Sequence, residues 1–131
     1  THAGAVYIFR VESNNTVTFL DKVIATSPAT QDNFGWSISL SQDQLAVGTY
    51  PSAEAVYLFH MESNGTATFV QKVIAPDPGI NDSFGASVSQ MGDLLAIGAT
   101  SVSLEGKSHA GAAYLYRIET GRLRPEEGGF D

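Results

Sequence analysis

Residues 32–59 read DNFGWSISLSQDQLAVGTYPSAEAVYLF, and this stretch decides the fold. Three short runs in it, 34–40, 45–48 and 55–59, are rich in aromatic, β-branched and other apolar residues, and polar turn-forming residues separate them. Such runs are typical of β-strands, and none of them has the 3.6-residue periodicity of an amphipathic helix. We therefore expect three consecutive strands here.

The same pattern is repeated along the chain. Ala5–Tyr50 aligns without a gap with Ala55–Thr100, and just over half of the aligned residues are identical. A third copy begins at Ala112 after a longer connection, and the phrase His2-Ala3-Gly4 recurs as His109-Ala110-Gly111. A repeat of this length indicates an array in which one unit cannot bury its apolar face without neighbours.

Each repeat is predicted to contain two hairpins. In the first copy the strands are 6–9 and 17–24, and then 34–40 and 45–48, with turns at 13–16 and 41–43. In the second strand, period-two alternation predicts that Val17, Phe19, Asp21 and Val23 lie on one face. The run from Leu94 to Ala99 is apolar on both faces, as expected for a strand buried between neighbouring sheets. Four strands per repeat are the content of one blade of a β-propeller.

These residues also carry a family resemblance. Asp32-Asn33-Phe34-Gly35, then Leu45-Ala46-Val47-Gly48, then Ala55-Val56-Tyr57-Leu58-Phe59 resemble the FG-GAP repeat, the blade unit of integrin-α-type propellers and of many bacterial surface proteins. The resemblance extends to about Thr120. It implies an all-β fold of tandem four-stranded antiparallel blades, and it assigns structural motif roles to Phe34, Gly35, Gly48, Phe84, Gly85 and Gly98.

In that register the chain holds about two and a half blades. We expect a half blade and loop at 1–33, a complete blade at 34–83, and a second blade with an atypical C-terminal tail at 84–131. Pro125 cannot donate to a strand ladder, so 122–127 is predicted to be an edge, a linker or an arm instead of a regular fourth strand. Closed propellers need four to eight blades, so this chain alone cannot close a ring.

Composition and charge exclude several partners. The chain has 7 Lys and Arg against 14 Asp and Glu, a net charge of −7 that repels nucleic acid and anionic membrane surfaces. The sequence contains no run of about 18 apolar residues, which is the length needed to cross a bilayer, so we expect no membrane insertion. The chain has no cysteine, which excludes disulfides and thiolate metal sites. The absence of cysteine does not identify a compartment, whereas the resemblance implies an extracellular or cell-surface location.

Cofactor sites are not expected. Integrin-type FG-GAP repeats often carry a calcium loop between the first two strands, but here those turns, 41–43 and 89–93, contain one carboxylate each. One carboxylate is too few for calcium, which takes six to eight oxygen ligands. Asp32 and Asp82 precede the Phe-Gly pairs and are interpreted as turn caps, with a weak surface cation as the alternative.

Catalytic constellations are missing from the sequence. The three histidines, His2, His60 and His109, have no metal-like or triad-like spacing, and no serine lies in a Gly-x-Ser-x-Gly context. Glu12 and Glu62 follow the same apolar block in successive repeats, which indicates a solvated hairpin position. We expect the protein not to be an enzyme.

Three Asn-x-Ser/Thr acceptors are present, at Asn14, Asn64 and Asn81. The first two lie one repeat apart at the turn of the same predicted hairpin, where a glycan would be tolerated. The alternative is that Asn-Asn and Asn-Gly were retained because they suit a hairpin turn.

Two functional hypotheses follow. The first is a structural or adhesive extracellular module that pairs its sheet edges with further blades or identical subunits, with a filament as one form of assembly. The second is an integrin-like propeller segment that recognises a protein or glycan ligand. A shared fold does not decide between them.

Overall fold

Ten β-strands and no helix make up the part of the chain that the structure, a computed structural model, describes: residues 3–25, 33–50, 54–76, 83–100, 110–119 and 122–125. The strands are β1 (Val6–Val11), β2 (Val17–Val23), β3 (Ser37–Ser41), β4 (Gln44–Gly48), β5 (Val56–Met61), β6 (Ala67–Val73), β7 (Phe84–Met91), β8 (Leu94–Ala99), β9 (Ala112–Glu119) and β10 (Arg122–Pro125). The predicted all-β class is confirmed.

The strands form three antiparallel sheets in chain order. A two-stranded hairpin, β1-β2, is followed by a four-stranded sheet in the order β3-β4-β5-β6 and by a second four-stranded sheet in the order β10-β9-β8-β7. Each four-stranded sheet is a meander, because every strand pairs with its neighbours in sequence. These are propeller-type blades, and the sheets do not close into a ring.

The middle sheet is packed between the other two. On β5, residues alternate between two hydrophobic clusters: Tyr57 and Phe59 join the cluster that contains Val6 and Ile8 of the hairpin. Leu58 joins the other cluster, with residues of β8 and β9. Strand β5 is buried on both faces for this reason. The same burial was predicted for Leu94–Ala99 and is wrong there, because no described sheet covers the outer face of β8 and only alternate residues are buried.

A β-bulge changes the faces predicted for the second strand. Phe19 pairs with Phe9, whereas Asp21 pairs with Ile8, so Leu20 is an extra residue in the ladder. As a result Phe19 is exposed on the outer face while Val23 is buried on the inner one, and the prediction of a single face is wrong. The same irregularity recurs between β5 and β6, so the bulge is a property of the repeat.

The Phe-Gly pair also differs between copies. Phe34 was predicted to open a strand, but β3 begins at Ser37 and Phe34 instead forms a parallel bridge with Gly4. In the next copy, Phe84 pairs with Ala99, and a register shift follows before Ser87.

A short fourth strand is present in the last sheet. Residues 122–125 form β10, and Pro125 lies opposite Tyr116 of β9. Of the expected edge, linker or arm, the structure therefore shows an edge strand, which is where proline is tolerated in a sheet.

Candidate functional site

The Phe-Gly motif is the junction between one repeat and the next. Phe34 is buried, with its ring 5.4 Å from Tyr57 and 6.1 Å from Phe59 in edge-to-face arrangements. Its backbone N–H donates to the carbonyl of Ala3, with an N–O distance of 2.9 Å. The motif therefore joins the first hairpin to the middle sheet.

The glycine of the motif allows a close backbone approach. Gly85 has a φ of +94°, and a Cβ built on it would lie 2.7 Å from the carbonyl oxygen of Ala55. In the previous copy, Gly35 has a φ of +97° and approaches the carbonyl of Ala5 in the same way. Only glycine combines this backbone conformation with this space.

Gly48 and Gly98 lie at equivalent places in β4 and β8. A Cβ on Gly48 would meet the carbonyl oxygen of Gly85 and the hydroxyl of Ser37, and a Cβ on Gly98 would meet the hydroxyl of Ser87. Around Gly48, the Ser37 hydroxyl donates to the Gly85 carbonyl over 2.8 Å. Because Gly48 has no side chain, the middle and last sheets approach closely enough for this hydrogen bond to form between them.

Two further polar contacts join neighbouring sheets. The side-chain nitrogen Nε2 of Gln90 donates to the backbone carbonyl of Ser39 over 3.0 Å, and it lies 3.4 Å from the backbone carbonyl of Gln44. At the other interface, the carboxylate of Asp21 accepts from the backbone N–H of Ala67 over 2.9 Å. The order of the sheets is therefore fixed by directional bonds as well as by apolar packing.

The two described glycosylation candidates have the same local geometry. Asn14 Oδ1 accepts from the backbone N–H and the hydroxyl of Thr16, at 3.1 and 2.6 Å. Asn64 Oδ1 accepts from the same groups of Thr66, at 3.0 and 2.8 Å. Both asparagines are exposed at the hairpin turn, as predicted. Asn81 lies outside the described residues, and the use of any of these sites stays a prediction.

In each four-stranded sheet, the turn between the first and second strands carries an aspartate that contacts a basic side chain of the third strand. Asp43 Oδ2 lies 3.7 Å from His60 Nδ1, and Asp93 Oδ2 accepts from Arg117 Nη1 over 2.9 Å. No group of three or more His, Cys, Asp or Glu residues that could hold a metal ion occurs in the described ranges. Asp32, Asp82, His2 and His109 lie outside those ranges.

In the described part of the chain, the outer faces of the first hairpin and of the last sheet expose apolar side chains, which the sequence reasoning did not find. The outer face of the hairpin exposes Tyr7, Phe9 and Phe19, which contact one another. The outer face of the last sheet exposes Met91 and Leu115, which line a recess with Leu94 and Ala96. The repeat alignment could have revealed them. Tyr7 is equivalent to Tyr57 and Leu115 to Leu58, and both of these residues of the middle sheet are buried.

This architecture defines a β-propeller-type repeat module. The family model described as the FG-GAP repeat matches residues 17–59 and 67–116. The chain belongs to the FG-GAP repeat family, which confirms the resemblance carried by the Phe-Gly and Leu-Ala-Val-Gly motifs. No curated protein matches the chain.

Family membership gives two general properties. FG-GAP repeats are generally non-enzymatic modules, and they typically occur in extracellular or surface proteins. Within the described part of the chain, no helix is long and apolar enough to span a membrane.

Proposed function

We propose that the protein is a non-enzymatic extracellular module with a structural or adhesive role. It assembles with further blades or identical subunits through its sheet edges, and open-ended addition would give a filament. The observation that carries this proposal is the one-sided pairing of β1. Strands β5 and β9, its counterparts in the next two repeats, pair on both sides, whereas β1 pairs only with β2 among the described strands.

An unpaired edge favours strand addition. The backbone N–H and C=O groups along the free side of β1 are directed away from β2, and such groups are a template for a further strand. The neighbouring part of the middle sheet supports the same interpretation. Ile38 and Leu40 are exposed on β3, whereas Val88, which corresponds to Ile38 one repeat later, packs against the preceding sheet. Two further strands added to the free side of β1 would cover Ile38 and Leu40.

The extracellular location is supported by the sequon geometry. Asn14 and Asn64 lie on equivalent hairpin turns at the same end of adjacent sheets, and both side chains are exposed. A glycan at either turn would extend into solvent without disturbing the sheet interfaces.

Hydrogen exchange of the intact chain tests the edge-pairing mode. Amides on the free side of β1 are expected to exchange quickly at low protein concentration and to slow at least about tenfold when the protein assembles, because a new ladder protects them. Amides of β5, which is already paired on both sides, are the internal control. Assembly with no change in β1 exchange would contradict edge pairing.

A further inference from the structure

The open aromatic face of the hairpin has a covered counterpart in the next repeat. We call Tyr7 and Phe9, with Phe19 beside them, the leading face. Tyr7 and Phe9 are 55% and 53% exposed, whereas Tyr57 and Phe59 one repeat later are 2% and 3% exposed. The residue types are the same and only the neighbour differs. Among the described sheets, none covers the leading face.

The last sheet presents the opposite surface. We call Leu94, Ala96 and Leu115, with Met91 at the rim, the trailing face. Leu115 corresponds to Leu58 of the middle sheet, and it is 37% exposed where Leu58 is 1% exposed. The four side chains line one recess on the outer side of β8 and β9. No sheet in the described ranges covers this surface either.

The chain itself shows how the two surfaces fit together. Inside the protein, Ala46 and Leu58 of the middle sheet share one cluster with Tyr114 and Tyr116 of the last sheet. Tyr114 and Tyr116 correspond to Tyr7 and Phe9, and Ala46 and Leu58 correspond to Ala96 and Leu115. The internal interface thus already joins a surface of the leading type to one of the trailing type.

We propose that the leading face of one copy docks on the trailing face of a second copy of this chain, so that Tyr7 and Phe9 cover Ala96 and Leu115. The proposal rests on the assembly role proposed above and names a contact different from edge pairing. The occupant is a second copy because each copy carries both halves of the contact, and because the new interface continues the internal stacking order. The arrangement is head-to-tail and leaves one face of each type free at the ends.

Two aspartate variants test this contact in the intact chain. Phe9→Asp places a carboxylate on the leading face, and Leu115→Asp places one on the trailing face. Burying either charge against apolar side chains is unfavourable, so each variant is expected to weaken self-association by at least about tenfold. Ile74→Asp is the matched control, since Ile74 is also an exposed aliphatic residue but belongs to neither face. This control is expected to associate like the wild type in sedimentation velocity.

A mixture of the two variants gives the sharper result. The Phe9→Asp chain keeps its trailing face, and the Leu115→Asp chain keeps its leading face, so together they have one competent pair of surfaces. We expect each variant alone to lose the association that depends on its faces, and an equimolar mixture to regain one face contact per pair of chains, so that growth through the faces stops at the dimer. Circular dichroism of each variant verifies that its sheets are intact, and Phe9→Ser or Leu115→Ser replaces the corresponding aspartate variant if that chain fails to fold.

The outcomes separate this inference from the edge-pairing mode. Wild-type assembly that both variants leave unchanged, with β1 amides protected, would overturn face docking and retain edge pairing. Loss of assembly in both variants, without β1 protection in the wild type, would support face docking and overturn edge pairing. A wild-type chain that stays monomeric would overturn both.

Discussion

At Gly85, a left-handed backbone conformation and a close approach to another sheet coincide. Its φ of +94° favours glycine, and the Ala55 carbonyl occupies the space that a side chain would need. Gly92 separates these two effects, because its φ is +60° but nothing lies within 4 Å of a Cβ built there. Comparing substitutions at Gly85 and Gly92 therefore separates the loss of stability caused by the close approach from the loss caused by the dihedral angle.

We expect Gly85→Ala to lower the free energy of unfolding by about 2–4 kcal/mol and Gly92→Ala by about 1 kcal/mol. The first value includes the displacement of one sheet from the Ala55 carbonyl, and the second contains only backbone strain. Urea denaturation of both variants measures the difference. Equal losses would show that the close approach does not constrain Gly85.

Glycosylation of Asn14 and Asn64 together is a second prediction for single residues. The two side chains have the same turn geometry and exposure, so a secretory pathway that modifies one is expected to modify the other. Intact-mass analysis of chain secreted from eukaryotic cells measures this, with Thr16→Ala and Thr66→Ala as acceptor-site controls. A secreted chain without added hexose at either site would remove the idea and weaken the extracellular assignment.

Motif residues could be placed from the sequence, but their neighbours could not. Phe34, Gly35, Gly48 and Gly85, which the sequence singled out as motif residues, lie at contacts between sheets, whereas Gly98 approaches Ser87 of its own sheet. Tyr7 and Tyr57 are the same residue type at the same position of the repeat, yet Tyr7 is exposed and Tyr57 is buried. Burial depends on which sheet lies alongside, and local sequence does not record that.

At the scale of single strands, period-two alternation predicted the hairpins but failed at the bulge. An extra residue in the ladder at Leu20 turns Phe19 to the outer face, and neither glycine nor proline is present to mark it. Strands β5 and β8 were both recognisable as nearly continuous apolar runs, but only β5 is buried on both faces, whereas β8 buries alternate residues. The short strand β10 was harder, because Pro125 is compatible with an edge strand as well as with a linker.

Truncating equivalent phenylalanines tests the stacking of the strands. Phe59→Ala removes a ring that is 3% exposed and is expected to cost about 3–5 kcal/mol of stability, because a cavity is left between two sheets. Phe9→Ala removes a ring that is 53% exposed and is expected to cost less than about 1 kcal/mol.

The comparison belongs at a protein concentration below the onset of assembly, because association stabilises the folded chain by mass action. Thermal or urea unfolding then compares the two variants as monomers. Similar losses of stability would mean that Phe9 is already covered in the isolated chain.

For the whole molecule, net charge opposes the apolar contact between copies. Each chain carries a net charge of −7, so two copies repel at low ionic strength. Raising the salt concentration to about 0.15 M shortens the screening length to about 8 Å and is expected to strengthen self-association. Analytical ultracentrifugation at two salt concentrations measures the effect. Weaker association at higher salt would indicate that ion pairs, and not the apolar faces, join the copies.

The mass of the native particle tests the central claim most directly, because the account describes stacked blades whose first and last described sheets each expose an apolar face. We expect light scattering of the intact 131-residue chain to show masses that rise with concentration in the micromolar range, in multiples of 13.9 kDa. A folded chain whose mass stays at 13.9 kDa over that range would contradict assembly through either its faces or its edges.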